Sequence, residues 1–196
     1  KSGNPLPSSR DLKITMGNWK RGGLARPASF FAGRGRIVEN LYICHISDSY
    51  IHYLHKYDYR VPFNKGQRRP YVGVILTVGD YQYFVPMESP RPNHANIRLG
   101  MHILKLDEGR LGLLGFNNML PVPSFAIVPY DIGAEPNVKY RNLLLNQLDY
   151  CNRYKYDISD RAKRTYSSVV VKKIPFLCRI SCDFKVLEQA CDKYRP

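Results

Sequence analysis

The sequence predicts an α+β domain in which helices pack on an antiparallel β-sheet, and two patterns support this fold class. Apolar and β-branched segments joined by turn residues fill much of the chain between residues 41 and 130, whereas apolar residues recur at helical spacing from residue 140 onward. Strands that come first and helices that follow are typical of α+β folds, whereas regular alternation would indicate a parallel sheet. Residues 41–196 are therefore predicted to form one domain, long enough for a sizeable core.

Turn residues between apolar segments place the strands. Gly79 and Asp80 separate two such segments, which predicts a hairpin with a Gly-Asp turn. A second hairpin is predicted where residues 107–110 join two further segments. Together with two single segments, the predicted strands are 41–46, 71–78, 81–85, 101–106, 111–116 and 124–130.

Capping residues and apolar spacing place the helices. Ser47 and Asp183 each precede residues at helical spacing, and short polar side chains at such positions accept hydrogen bonds from the first free N–H groups. Pro175 is predicted to end the third helix. The apolar faces of the four predicted helices are Tyr50, Ile51, Leu54 and Tyr57; Tyr140, Leu144, Leu148 and Cys151; Ile158, Ala162, Tyr166, Val169 and Val170; and Phe184, Leu187, Cys191 and Tyr194.

The N-terminal fifth of the chain differs from the rest. Residues 1–40 hold eight basic and two acidic side chains, six Gly and three Pro, without strand or helix periodicity. This composition predicts a basic flexible arm, and the lack of an apolar h-region argues against a secretory signal. One hypothesis is that the arm is not native coding sequence and that Val38 marks an alternative start codon. A codon other than GTG at that position would contradict the hypothesis.

The charge balance indicates the class of partner. Thirty Lys and Arg residues against 16 Asp and Glu give a formal net charge of +14. Such a balance favours polyanions such as nucleic acid or an acidic membrane surface. The 15 Tyr residues suit stacking on RNA bases, although Tyr is also an ordinary core residue.

Several other classes of protein lose their usual signals. No apolar run reaches the ~18 residues needed to span a bilayer, so a transmembrane protein is not expected, and we predict no membrane among the partners. The five cysteines are scattered without a CxxC pair, which supports neither a zinc site nor a disulfide framework and makes the reducing cytoplasm the simplest location. Motifs for nucleotide hydrolysis, dinucleotide binding, lipase-type catalysis and zinc proteolysis are also missing. We therefore expect no cofactor and no metal.

The chemistry that remains open to a basic, carboxylate-poor protein is metal-free cleavage of RNA. In RNA the 2′-oxygen can attack the adjacent phosphate, which leaves a cyclic phosphate and a 5′-hydroxyl. The enzyme must remove one proton, stabilise the crowded phosphorane anion and protonate the departing oxygen. A cluster of cations, a hydroxyl and a possible base is therefore required.

The segment Pro86-Met-Glu-Ser-Pro-Arg-Pro-Asn-His94 supplies such a cluster directly after the second hairpin strand. Ser89 could orient a phosphate oxygen, Arg91 could bind it with a planar fork, and Glu88 or His94 could handle a proton. Pro90 and Pro92 stiffen this loop. The alternative interpretation is an ordinary polar loop that only turns the chain.

A second cluster, Lys65-Gly-Gln-Arg-Arg-Pro70, comes just before the first hairpin strand. Loops at the open end of one hairpin lie side by side, so Arg68 or Arg69 is predicted to face Ser89 and Arg91. The alternative is a solvated basic loop.

Two further sets of polar residues remain ambiguous. His52 and His55 lie three residues apart on the first predicted helix, and without a third ligand they are more typical of surface histidines than of a metal site. Asn117 and Asn118 follow a predicted strand, where they either contact bases or form Asx turns.

Four motifs in register resemble the ToxN/AbiQ family, toxins of type III toxin–antitoxin systems. The resemblance extends from about residue 41 to the C-terminus and does not include residues 1–40. Each motif is weak alone, but the four together at these spacings are specific. They are Ile46-Ser-Asp-Ser-Tyr50, Arg69-Pro-Tyr-Val-Gly73, Tyr83-Phe-Val-Pro-Met-Glu-Ser-Pro-Arg-Pro-Asn-His94 and Phe116-Asn-Asn-Met-Leu-Pro-Val-Pro123.

The resemblance implies a fold and an activity. The fold would be a strongly twisted antiparallel sheet surrounded by helices, similar to the Kid/MazF toxins. The activity would be cytoplasmic, metal-independent cleavage of cellular and phage mRNA at short adenine-rich sequences. The partner would be an RNA antitoxin of tandem pseudoknot repeats, which the toxin processes and with which it forms a cyclic or compact assembly. Many members abort phage infection.

The resemblance also implies site residues. The family's strand-exit motif contains a hydroxyl pair, a Pro and a Lys, and its second hydroxyl falls at Ser89 and its cation at Arg91. The family's helix Tyr, the Lys before the first hairpin strand, the motif His and a later Met fall at Tyr50, Arg69, His94 and Met119. We predict as catalytic residues Arg69, Glu88, Ser89, Arg91 and His94, and as RNA-binding residues Tyr50, Lys65, Arg68, Asn117, Asn118 and Met119.

Three residues depart from the family pattern. Glu88 stands where Thr or Ser is usual, and Arg69 and Arg91 replace lysines. Arginine binds phosphate well but gives up its proton poorly. One hypothesis is therefore that Glu88 has become the base and that the two arginines hold the anion. A second is that activity is weak while RNA binding persists.

Two other functions remain open from the sequence. A non-catalytic RNA-binding protein would share the charge and the tyrosines. A DNA-binding regulator is less well supported, because no helix-turn-helix with a basic second helix is visible and DNA lacks the 2′-hydroxyl.

Overall fold

A seven-stranded antiparallel sheet forms the centre of the protein. The computed structural model describes residues 40–64, 66, 68–97 and 100–195, so most of the predicted N-terminal arm and Lys65 lie outside the described residues. Along the sheet the strand order is β4-β5-β3-β2-β1-β7, and β6 pairs with β3. The strands are β1 (Tyr42–Ile46), β2 (Tyr71–Val78), β3 (Tyr81–Glu88), β4 (Ile103–Leu106), β5 (Gly112–Gly115), β6 (Leu120–Pro121) and β7 (Ile127–Pro129).

Within the described residues, five α-helices accompany the sheet. They are α1 (Asp48–Tyr57), α2 (Val138–Arg153), α3 (Lys155–Val170), α4 (Pro175–Ile180) and α5 (Phe184–Lys193). Helix α3 packs against β2 and α5 packs against α1 and β6. The α+β class with an antiparallel sheet is confirmed. In the described part of the chain the sheet stays open, with β4 and β7 at its edges, and the likeness to Kid/MazF toxins stays a prediction.

Local sequence signals located most of the elements. Ser47 caps α1 by accepting a hydrogen bond from Tyr50 N–H, and Asp183 caps α5 in the same way. The hairpin of β2 and β3 turns at Gly79 and Asp80, although β3 continues to Glu88 instead of ending at residue 85.

Two predictions at element boundaries were wrong. The predicted strand 124–130 begins as a 3₁₀ turn over Ser124–Ala126, so only Ile127–Pro129 is extended. Pro175 does not simply terminate a helix: it is the first residue of α4, which the sequence analysis missed. Proline is favoured at this position because the first N–H of a helix has no intrahelical partner.

The central hairpin and the helices share a core that contains a buried polar cluster around Glu188. The carboxylate of Glu188 in α5 accepts hydrogen bonds from the hydroxyls of Tyr83 (2.8 Å) and Tyr166 (2.7 Å), and it pairs with Lys185. Burial and the adjacent carboxylate raise the pKa of both tyrosines well above the ordinary value. Both hydroxyls therefore stay protonated donors and join β3 to α3 and α5.

A second polar cluster fixes the end of α1. The buried carboxylate of Asp58 accepts hydrogen bonds from Arg60 at 2.8 and 2.9 Å and from the Asp183 N–H at 2.6 Å. Arg60 also donates to the Cys178 carbonyl at 2.8 Å. Burial by itself raises the pKa of Asp58, but the hydrogen bonds from Arg60 and Asp183 outweigh it and hold this pKa below its usual range. The cluster thus joins the end of α1 to the start of α5.

Replacing Asp58 by Asn should lower the free energy of unfolding by about 2 kcal/mol, because charge-assisted hydrogen bonds are lost at a buried site. The folded-state pKa of Asp58 is depressed, so its contribution is complete above about pH 5 and is lost as pH falls below about 4. Urea unfolding measured at several pH values should show a smaller acid-induced loss in Asp58→Asn than in the wild type. Asp149→Asn, which removes an exposed pair with Arg153, is the matched control and should change stability by no more than about 0.5 kcal/mol.

Candidate active site

The open end of the β2–β3 hairpin brings the two predicted clusters together. Tyr71 pairs with Pro86, and the Met87 N–H donates to the Pro70 carbonyl at 2.9 Å. Arg69 comes immediately before this hydrogen-bonded pair and Glu88 immediately after it. The two residues therefore leave the ribbon from neighbouring positions, and the prediction that Arg68 or Arg69 faces Ser89 and Arg91 stays a prediction.

Backbone and side-chain bonds hold Arg69 in place. Its N–H donates to the Asn64 carbonyl at 3.1 Å, and its Nε donates to the Phe63 carbonyl at 3.2 Å. Its own carbonyl accepts a hydrogen bond from His45 Nδ1 at 3.1 Å. The Nε donation uses one of the five guanidinium N–H groups, and the two Nη groups carry the other four.

Asn64 is a positioning residue that the sequence analysis missed. Its buried side chain donates to the Ile46 carbonyl at 2.6 Å and accepts from the Tyr71 hydroxyl at 2.8 Å. Its carbonyl accepts from the N–H groups of both Arg68 and Arg69. A single Asn in a polar loop gives no sequence signal for these contacts, because its partners lie on β1 and β2.

His45 is a second residue that the sequence analysis did not single out. Its imidazole lies edge-on to Tyr130 with ring centroids 4.5 Å apart. Burial lowers the pKa of His45, although the hydrogen bond to the Arg69 carbonyl acts in the opposite direction. Because a carbonyl can only accept, the proton of the neutral ring lies on Nδ1. His45 thus holds the backbone of Arg69 from the β1 side.

On the other strand, residues 88–91 form the accessible part of the site. The Glu88 side chain is 40 % exposed, and Ser89 and Arg91 are both exposed. Arg91 precedes a 3₁₀ turn over Pro92–Asn96, and its carbonyl accepts from His94 N–H at 3.0 Å. A carboxylate, a hydroxyl and a guanidinium therefore reach solvent within four residues.

His94 lies behind Glu88 and not at the surface. Its side chain is 3 % exposed, and its Nε2 is 4.0 Å from Glu88 Oε2. Its Nδ1 is buried without a hydrogen-bond partner among the described residues. The prediction that His94 exchanges a proton with substrate needs correction, because the ring has almost no accessible surface. The ring is placed to act on Glu88.

Gly112 lets β5 approach the end of β3 closely. A Cβ at Gly112 would lie 1.9 Å from the Glu88 carbonyl oxygen, and Gly112 has a φ of +101°. Only glycine allows β5 to run this close to the end of β3. The Glu88 backbone is thereby paired with Leu113 of β5, while the preceding residue, Met87, is hydrogen-bonded to the Pro70 carbonyl.

The remaining predicted RNA contacts lie in other environments. Tyr50 and Met119 are fully buried, and the Tyr50 hydroxyl donates to the Pro121 carbonyl at 2.7 Å. Neither side chain can contact RNA in this structure, because Tyr50 on α1 and Met119 before β6 both point into the core. Arg68 is exposed beside Arg69.

Asn117 and Asn118 hold two parts of the fold together. Asn117 Nδ2 donates to the Ile180 carbonyl at 3.1 Å and to Asn118 Oδ1 at 3.2 Å, and the Asn117 carbonyl accepts from Cys182 N–H. These contacts tie the turn after β5 to the segment between α4 and α5. The structure thus gives Asn117 and Asn118 a role in holding the fold together.

In the described ranges, no group of three or more His, Cys, Asp or Glu side chains is arranged to hold a metal ion. No helix in the described part of the chain combines the length and the apolar composition that crossing a membrane requires.

Comparison with known proteins matches this architecture to one family. The family model described as toxin ToxN of type III toxin–antitoxin systems matches residues 42–192. The chain is 35% identical over 161 residues to the endoribonuclease ToxN of Bacillus thuringiensis subsp. kurstaki, with 76% of this chain and 82% of that protein covered. It is 28% identical over 160 residues to the endoribonuclease AbiQ of Lactococcus lactis subsp. lactis, with 76% and 86% covered.

Solved structures agree with the sequence relatives. A toxin from a study of selective inhibition by a non-coding RNA pseudoknot superimposes with a TM-score of 0.72 at 34% identity, covering 80% of this chain and 98% of that one. The lactococcal anti-phage endoribonuclease AbiQ gives a TM-score of 0.72 at 25% identity, covering 79% and 97%. The resemblance found in the four sequence motifs is confirmed: the chain belongs to the ToxN family of toxins of type III toxin–antitoxin systems.

Proposed function

We propose that this protein is an endoribonuclease toxin that an RNA antitoxin holds inactive. Family membership supports the proposal, as do relatives named endoribonucleases and a related toxin described as inhibited by an RNA pseudoknot. The single observation that carries the proposal is the open end of the β2–β3 hairpin. There Arg69 comes just before β2, whereas Glu88 ends β3 and the exposed Ser89 and Arg91 follow it.

The proposed reaction uses the 2′-hydroxyl of RNA and no metal. The Glu88 carboxylate accepts the 2′-hydroxyl proton as the 2′-oxygen attacks the adjacent phosphorus. The bond from phosphorus to the 5′-oxygen of the next nucleotide then breaks, which leaves a 2′,3′-cyclic phosphate and a 5′-hydroxyl. Water donates the proton to the departing oxygen, because the guanidinium groups of Arg69 and Arg91 release protons poorly.

The arginines and the serine stabilise the charge that develops during this step. Negative charge accumulates on the equatorial oxygens of the phosphorane, and fixed cations contribute most when they need no rearrangement. Arg69 meets this requirement because its N–H, Nε and carbonyl are each hydrogen-bonded. Arg91 offers a planar fork for two phosphate oxygens, and the Ser89 hydroxyl donates to one of them.

His94 has a positioning role in this proposal. Its nearest ring nitrogen is 4.0 Å from the Glu88 carboxylate, and its own surface is closed to substrate. It thus favours one orientation of the carboxylate and does not itself exchange protons with RNA.

The same assignment suggests a biological setting. The antitoxin would be an RNA of tandem repeats that the toxin itself processes and with which it forms a cyclic or compact assembly. Free toxin would cut cellular and phage mRNA in the cytoplasm, and its release would abort phage infection. The anti-phage description of AbiQ supports this role.

Cleavage of single-stranded RNA by the purified protein should continue in excess EDTA, because no step requires a metal ion. The products should carry 5′-hydroxyl ends that polynucleotide kinase labels directly and 2′,3′-cyclic phosphates that become free 3′ ends only after enzymatic removal. DNA of the same sequence should remain intact. Loss of cleavage in EDTA, or 5′-phosphate ends, would contradict the mechanism; binding without any cleavage would indicate the non-catalytic alternative.

Glu88→Gln should reduce the single-turnover cleavage rate roughly 10²–10⁴-fold, the range expected for loss of proton transfer. RNA affinity should change little, because the amide keeps the size and polarity of the carboxylate. Asp160→Asn, at an exposed carboxylate on α3 paired with Arg164, is the control and should retain the wild-type rate. A near-normal rate for Glu88→Gln would remove this residue from the mechanism.

The DNA upstream of the gene provides an independent observation. We expect tandem repeats of a few tens of nucleotides followed by a transcription terminator, because the antitoxin RNA is transcribed from the same region. Co-expression of that RNA should relieve the toxicity of the protein in bacteria. Toxicity that the adjacent RNA does not relieve would argue against RNA inhibition.

A further inference from the structure

An exposed aromatic side chain lies beside Arg69 and has no part in the mechanism above. Phe63 is 46% exposed, although its ring lies against two histidines of α1. The ring centroid is 4.0 Å from that of His55 and 5.3 Å from that of His52, with interplanar angles of 37° and 42°. Both histidine rings are thus tilted against the Phe63 ring, which stays nearly half exposed, and we call these three side chains the Phe63 platform.

Hydrogen bonds fix the two histidines of the platform. His52 Nδ1 donates to the Asp48 carbonyl at 2.7 Å, and His55 Nδ1 donates to the Val61 carbonyl at 2.8 Å. Both rings are therefore already ordered before a ligand binds to the platform. The conformational entropy lost on binding is correspondingly small.

The platform is joined directly to the proposed cation site. The carbonyl of Phe63 accepts the hydrogen bond from Arg69 Nε at 3.2 Å. The exposed Arg68 follows the same turn, and the whole chain carries a net charge of +14. A flat apolar face next to cations matches the two parts of a nucleotide, an aromatic base and a phosphate. This charge favours RNA over an apolar protein partner.

We propose that the Phe63 platform stacks an unpaired base of RNA next to the phosphate bound at Arg69. This inference rests on the proposed function and adds a base-binding position to that site. Because every base has a π-face, such stacking tolerates different sequences. It fixes which phosphate reaches Glu88 and Ser89, because the base and its phosphate are covalently joined.

The test combines abasic RNA with substitutions of Phe63. A short fluorescein-labelled single-stranded RNA that the wild type cleaves is prepared as a series with one base removed at each position near the cut. We expect one abasic position to lower wild-type affinity roughly 10-fold, as loss of one stacked base does. Phe63→Leu should lower the affinity for intact RNA by a similar factor. Its affinity for that one abasic RNA should equal the affinity of the wild type. Phe63→Trp should restore affinity for intact RNA.

Controls separate stacking from folding and from catalysis. Phe176→Leu alters a phenylalanine on α4 that is 52% exposed and should keep the wild-type abasic profile. Urea unfolding of Phe63→Leu should show whether this variant remains folded. If it does not, the affinity of Phe63→Trp for intact RNA still tests the inference. Because affinity is read by fluorescence anisotropy, the inference is tested even if cleavage is never observed with the labelled series.

The outcomes are distinct. An abasic position whose effect disappears in Phe63→Leu supports the platform, with or without cleavage. Equal abasic profiles for the wild type and Phe63→Leu overturn it, even if metal-free cleavage is established. Failure of Phe63→Trp to restore affinity also overturns it, because the larger ring keeps the stacking surface.

Discussion

The hydrogen bond from the Met87 N–H to the Pro70 carbonyl determines where the candidate site lies. Among the described residues, it is the last hydrogen bond between these two segments before they diverge at the open end of the hairpin. Because it fixes the register of both strands, it also fixes the residues that follow on each side. A slip of one residue would turn the side chains of Arg69 and Glu88 to opposite faces of the ribbon. The relative positions of the cation and the carboxylate therefore depend on sheet register.

Support for the two sides of the ribbon comes from different parts of the protein. On the β3 side, β5 runs against the Glu88 backbone, a contact that requires the missing side chain of Gly112. On the β2 side, Asn64 and His45 hold the backbone of Arg69 through hydrogen bonds. The groups that we propose to react thus stand on hydrogen-bonded backbone while their side chains are at least partly exposed. Catalysis by fixed charges gains from such an arrangement, because little reorganisation accompanies the reaction.

The sequence located features that depend on neighbouring residues and missed those that depend on distant ones. Ser47, Asp183 and the Gly79-Asp80 turn act within a few residues, and their elements were predicted correctly. The juxtaposition of the two loops followed from hairpin geometry alone. The roles of Asn64 and His45 depend on partners 7 to 24 residues away across the sheet. Burial of His94 was also not visible, because it results from packing against residues that follow in the chain.

The loop between α1 and β2 connects folding stability to the candidate site. At one end the Asp58 carboxylate binds Arg60 and the start of α5, and at the other end Arg69 faces Glu88. Phe63 and Asn64 lie between these two points, and each contributes a carbonyl to the placement of Arg69. A short segment with both ends held has few conformations to lose when a ligand binds. Weakening the Asp58 cluster would free one end, so the position of Arg69 should loosen before the sheet unfolds. The arginine at this position is suited to such a tether, because its Nε donates to the loop while its two Nη groups carry four further N–H groups, a division that a lysine ammonium does not offer.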